Sequence, residues 1–190
     1  GVGSPWSTTI QDGVKAVDLA PYLSTGGGIS QTFATTPGVT YEVSFWAGTE
    51  NVWGKTGTGT VVAQVGSAVG TFSLENHTAD LVWEAQNLSF VANSSSTTLT
   101  LQSLDNPFQH VASIDAVSVT PTGGGANLVS NGSFETPPGN YEYVPGGSAY
   151  INGWTTTLNG VEIITDNDIG LGVPYPTTIG DGIKAVDLAP

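Results

Sequence analysis

The sequence has no cysteine, no methionine and no arginine, and only three lysines: Lys15, Lys55 and Lys184. Without cysteine there is neither a disulfide framework nor a thiolate metal site. With three cations against 16 carboxylates, the net charge is −13, which excludes a phosphate-tracking nucleic-acid surface and disfavours an anionic membrane. The missing methionine suggests a mature or internal stretch of a longer protein. No run of 18 apolar residues and no basic, apolar leader occurs, so no membrane insertion is expected of this stretch. The catalytic signatures are missing too: GxSxG, HExxH and the P-loop do not occur, and His77 and His110 stand in unrelated contexts. Glu42, Glu75, Glu84 and Glu162 could form a glycosidase pair only by the chance that any acidic β-sandwich offers. The chain is therefore read as not an enzyme.

What is present is a duplication. Residues 1–21, GVGSPWSTTIQDGVKAVDLAP, return as residues 170–190, GLGVPYPTTIGDGIKAVDLAP, identical at 15 of 21 positions. Ile10 recurs as Ile179, giving a period of 169 residues, too long for a solenoid and right for a whole domain. Substitutions such as Val14 to Ile183 and Trp6 to Tyr175 keep apolar or aromatic character. The chain is expected to be a window on a tandem array, out of phase with its domains.

Apolar residues alternate with a period of two, which predicts an all-β fold. Strands are expected at 14–19, 29–33, 40–47, 60–65, 71–74, 87–92, 97–102, 112–119, 151–157 and 161–165, separated by Gly, Pro, Asn and Ser clusters. That number and spacing predict a jelly-roll β-sandwich. Thr120-Pro-Thr-Gly-Gly-Gly125 reads as a linker. It divides the chain into 1–121, the C-terminal part of one repeat, the Gly-rich linker 122–125, and 126–190, the N-terminal part of the next. Each part is expected to be completed by an adjoining repeat rather than by the other.

Three segments then stand out together: NLVSNGSFE at 127–135 with INGWT at 151–155, the duplicated DGIKAVDLAP with GGISQTFATTPGVTYEVSFWAG at 27–48, and SIDAVSVTP at 113–121. In permuted order they resemble the choice-of-anchor C and DUF642 type of secreted domain, which has a galactose-binding-like jelly roll. The resemblance implies an extracellular or cell-surface protein, bacterial by its composition, with a binding or structural role. It also implies a structural calcium, with Glu135 of the opening segment and Asp115 of the last strand as ligands. Hard oxygen donors suit that ion. The alternative is a capped strand end with a solvated carboxylate. Asp166 and Asp168 form a weaker oxygen pair that reads better as a turn.

In Tyr41-Glu-Val-Ser-Phe-Trp46, alternation places Tyr41, Val43 and Phe45 on one face and Glu42, Ser44 and Trp46 on the other. Trp46, Glu42 and Gln31 or Gln64 are candidates for a sugar-binding face, and Trp53, in a glycine-rich loop, for a further interaction residue. Trp154 and Trp83 read as core or edge packing. Two functions are open. The first is a structural repeat of an extracellular fibre, sheath, stalk or adhesin whose partners are copies of itself. The second is a carbohydrate-binding module that engages polysaccharide by avidity.

Overall fold

The computed structural model describes residues 10–21, 25–49, 55, 58–75, 81–110, 112–136 and 142–165. Trp53 and the second copy of the duplicated segment lie outside them. The described residues form 11 strands and no helix. In chain order these are β1 (Lys15–Asp18), β2 (Gly27–Ala34), β3 (Thr40–Thr49), β4 (Thr58–Val65), β5 (Ala68–Glu75), β6 (Val82–Val91), β7 (Ser96–Ser103), β8 (Ser113–Pro121), β9 (Glu142–Val144), β10 (Thr155–Leu158) and β11 (Val161–Thr165).

They make two sheets with the orders β6-β3-β8-β1-β11-β9 and β10-β2-β7-β4-β5. Every pairing is antiparallel. The two inner faces close on one core, as a jelly-roll sandwich requires. Alternation supplies it: Tyr41, Val43, Phe45 and Ala47 of β3 join Val61, Ala63 and Val65 of β4 and Leu99 and Leu101 of β7, all buried. Tyr41 stacks on Phe90 at 5.4 Å between ring centroids, and Phe45 meets Phe72 edge-on at 5.3 Å.

The expectation that 1–121 and 126–190 would not assemble with each other is corrected here. β11 pairs with β1 and β10 pairs with β2, so residues 142–165 extend both sheets of the sandwich that 10–121 begins. The reason is the duplication itself, since the neighbour that β11 needs is present as the first copy, 15–18. The Gly-rich stretch 122–125 is a reversal between the two parts. Thr122 N–H donates to Thr40 O, Gly124 N–H to Pro121 O, and Leu128 N–H returns to Val119 O.

That return leg is fixed by polar contacts with the buried Gln31 side chain. Gln31 Nε2 donates to Ser130 O at 3.0 Å, and Gln31 Oε1 accepts from Ser130 N at 2.8 Å. Asn131 and Phe134 adopt positive φ, 51° and 59°. This backbone drives Phe134 into the core against Trp154, whose ring lies 5.6 Å away and whose Nε1 donates to Asn131 O. Trp154 is a core residue, as its place in the sequence predicts.

β8 carries a bulge. Ser44 pairs with Ser118 and Trp46 with Asp115, so Ala116 and Val117 together stand against Phe45. Ala116 has φ 50°. One extra residue of this kind bends its strand and interrupts the ladder.

Candidate functional site

The two outer faces differ in chemistry. On the five-stranded sheet, alternation turns Ser30 and Thr32 of β2, Thr98 and Thr100 of β7 and Gln64 of β4 outward. Thr32 and Thr98 share a hydroxyl hydrogen bond of 2.8 Å across the strands. A shallow depression of about 270 Å³ opens among Gln64, Asn93, Ser96, Thr98 and Thr100. None of these residues is aromatic, so among the described residues this face offers no flat apolar surface on which a sugar ring could stack.

The outer face of the six-stranded sheet has that surface. Trp46 stands outward on β3, half-buried, opposite Ala85 of β6 and Asp115 of β8. Trp83 lies opposite Gly48, two positions along the same strands. Diagonal neighbours of this kind are about 7 to 8 Å apart, within reach of aromatic side chains. Glu42 and Ser44 continue the face on β3, with Ser89 and Asn87 opposite them. Ser44 and Ser118 hydroxyls meet at 2.8 Å.

One cross-strand row runs through all six strands: Trp83, Gly48, Ser113, Asp18, Glu162 and Tyr143. Asp18 and Glu162 are direct partners, and both are nearly buried, at 5% and 3% exposure. Like charges placed opposite each other destabilise a sheet. Asp18 Oδ1 accepts from Ala20 N at 2.8 Å, and both residues make further contacts. Beside them the Ser113 hydroxyl is buried, with no hydrogen-bond partner among the described residues.

A short segment folds over this face. Ile10 packs with Ala16, Leu81 and Ile164 in a second apolar cluster that Trp83 borders. The turn after Ile10 is held by the two carboxylates singled out in the sequence. Asp115 Oδ2 accepts from Gln11 N at 2.9 Å and Asp12 N at 2.8 Å, and its Oδ1 accepts from Ala116 N. Glu135 Oε1 accepts from Val14 N at 2.8 Å and Lys15 N at 2.9 Å. Gly13 has φ 76°, and a Cβ there would lie 2.3 Å from Glu135 Oε1, so the turn requires glycine. Desolvation pushes the Asp115 carboxyl up to about 7, against the opposing pull of its N–H donors, with the Asp12 charge adding to the rise.

The structure thus brings Asp115 and Glu135 to one turn within one chain. The groups facing them are N–H donors, and no cluster of three or more metal-ligating side chains occurs among the described residues. The fit to calcium is therefore incomplete: backbone carbonyls would have to supply most of the shell.

Trp46 and Glu42 share the outer face, as alternation predicts. Gln31 and Gln64 do not flank them, which corrects the grouping expected from sequence. Both glutamines belong to the five-stranded sheet, and the core separates that sheet from Trp46. Gln31 is buried and committed to Ser130, while Gln64 faces the far side. Sequence reasoning missed the Asp18–Glu162 pair. The available signal was Asp18 itself, a carboxylate between Val17 and Leu19 in an alternating strand, hence on the face opposite the core.

Residues 6–120 match the model of a family described as a protein of unknown function, DUF642. The chain belongs to the DUF642 family. A search of curated proteins found no match. Among solved structures, this DUF642 chain is similar to a module titled PbXyn10C CBM, at 21% identity and a TM-score of 0.45. That match covers 84% of this chain and 94% of the other. It is also similar to the C-terminal domain of EclA, titled a sugar-binding protein, at 17% identity and a TM-score of 0.44, covering 59% of this chain and 81% of that one. A third, titled as a CBM4 structure, has 19% identity and a TM-score of 0.36 over 50% of this chain and 61% of its own.

Proposed function

We propose that this domain binds carbohydrate through the outer face of its six-stranded sheet. The observation that carries the reading is the position of Trp46, half-buried and outward, with Trp83 diagonal to it and Glu42 and Asn87 on the same face. A pyranose ring offers one apolar face for stacking and a rim of hydroxyls for hydrogen bonds, and this surface has both complements. Retardation of the protein in native gels containing soluble polysaccharides tests it. No retardation in any of a broad set of neutral and acidic glycans would overturn it.

A second reading is favoured by a different observation, the duplicated segment: the domain is one unit of an extracellular polymer in which successive units cohere. Sedimentation across a wide concentration range tests it, and a chain that stays monomeric throughout opposes it. Calcium at the turn of residues 11–15 is a proposal as well, with Glu135 and Asp115 as its side-chain ligands and a role in holding the turn.

A further inference from the structure

β1 fills a slot in the middle of the six-stranded sheet, between β8 and β11. Val17 stands opposite Ile114 on one side and Ile163 on the other. Ala16, Val17 and Leu19 are fully buried there, and Leu19 N–H donates to Ala112 O. The approach to the strand is seated by Ile10 in its apolar cluster, by the N–H groups of the 11–15 turn on Asp115 and Glu135, by Gly13 against Glu135, and by Lys15 Nζ on Glu135 O.

Residues 179–190 repeat residues 10–21 with two changes, Gln11 to Gly180 and Val14 to Ile183. Both changed positions are exposed in the first copy. Every residue that the slot buries is identical, including the lysine on Glu135 O, and so is the glycine that the turn requires. The contacts made by main-chain N–H groups do not depend on side chains at all. The second copy therefore matches the slot as well as the first.

It can also reach it. β11 ends at Thr165, whose partner across the ladder is Lys15. The counterpart of Lys15 is Lys184, which leaves the 18 residues 166–183 to close a loop between antiparallel neighbours. The entropy cost of a loop grows only slowly with its length. The first copy is tethered from the other side, through the connection from Pro21 to β2. Both are thus tethered to the same sandwich, and tethering keeps each at high effective concentration.

We infer that 179–190 is an alternative occupant of the β1 slot within the same chain, exchanging with 10–21. Either choice leaves one copy released, as a strand that a neighbouring unit's slot would fit. The inference goes beyond carbohydrate binding and does not rest on it.

The test places a charge in each copy of the full chain. Val17→Asp cannot sit between Ile114 and Ile163. If the second copy takes over, this variant keeps a cooperative thermal transition, shifted by no more than about 4 °C, and remains monomeric. Val186→Asp behaves likewise, and the double variant loses the transition. Loss of the transition in Val17→Asp alone overturns the inference. A Val17→Asp variant that folds only as a concentration-dependent oligomer also overturns it, and assigns the occupant to a second copy of the chain instead. A direct readout uses the absence of cysteine in this sequence. In the Val17→Asp background, Ile163→Cys with Val186→Cys forms a disulfide within one monomer, detected by peptide mass, because Val186 then occupies the place of Val17. A monomer without that link rules the exchange out.

Discussion

Trp83 covers Gly48 of the neighbouring strand so closely that a Cβ at Gly48 would stand 2.7 Å from the indole ring. The backbone of β3 and the flat of the indole are thus complementary, and the second apolar cluster borders the same ring. Gly48→Ala must push the ring away or bend the strand. The expected cost is about 1 to 3 kcal/mol in urea unfolding, with a shift in tryptophan emission. An unchanged spectrum and midpoint would show that the contact does not anchor the ring.

Trp46 belongs to neither apolar cluster, so its removal separates binding from folding. Trp46→Ala is expected to weaken polysaccharide retardation about tenfold or more, the loss of one stacking contact, while the melting temperature moves little. Thr98→Ala, on the opposite outer face, is the control and leaves retardation unchanged. Equal losses from both variants would remove the six-stranded face as the site.

Gln31 ties β2 to the return leg at Ser130 with two amide hydrogen bonds. Gln31→Leu leaves the Ser130 N–H and carbonyl without those partners. Ser130 is itself exposed, so water replaces part of what is lost, and the expected cost is about 0.5 to 1.5 kcal/mol per hydrogen bond. Amide exchange should accelerate across 129–134 before it does in β3 or β7, and uniform protection would contradict the assignment.

Asp115 links stability to pH. Its carboxyl is raised from 3.8 to about 7 in the folded chain, so between those values the native state holds a proton that the unfolded state releases. Stability therefore falls as pH rises through that window, by up to about 1.4 kcal/mol per pH unit, and levels off above it. Melting in metal-free buffer from about pH 4.5 to about pH 8 measures the slope across that window, and Asp115→Asn should flatten it. A slope of the opposite sign would show that the N–H donors outweigh desolvation.

Calcium at the same turn would favour the ionised carboxylates. Adding it above the Asp115 window, at about pH 8, is then expected to raise the melting temperature, and a chelator to reverse the rise, since a ligand of the native state alone stabilises it. Glu135→Gln should abolish the increment. If calcium leaves the transition where it was, these carboxylates serve the N–H groups of residues 11–15 and of Ala116 and hold no ion.

The faces of individual strands were legible in the sequence, because a period of two needs only neighbours to be read. Tyr41, Val43 and Phe45 are core and Glu42 and Trp46 are outward for that reason alone. Layer membership was not legible. Gln31 and Trp46 lie 15 residues apart in alternating strands, and nothing local says that they belong to different sheets. β9 escaped because a three-residue strand between prolines and glycines has no period to detect. The start of β6 at Val82 was hidden by Trp83 and Ala85, whose outward positions look apolar. The buried pair of Asp18 and Glu162 required a pairing between strands that a linear reading had assigned to different domains.

The bulge at Ala116 has a consequence for how the distant parts of the chain are joined. Ile114 points inward and Asp115 outward before it, and Val117 and Val119 point inward with Ser118 outward after it. Those five residues would alternate without a break if Ala116 were deleted, so the extra residue is not there to aim side chains. Its effect is on the main chain. Ala116 N–H turns back to Asp115 Oδ1, beside the bonds that hold residues 11 and 12, and Val117 N–H leaves β3 for Gly132 O on the return leg. Three consecutive residues thus form a junction box, wiring the turn of residues 11–15 on one side and the leg that leads to β10 and β11 on the other. A perfectly regular β8 would present the same faces and have nowhere to plug in either.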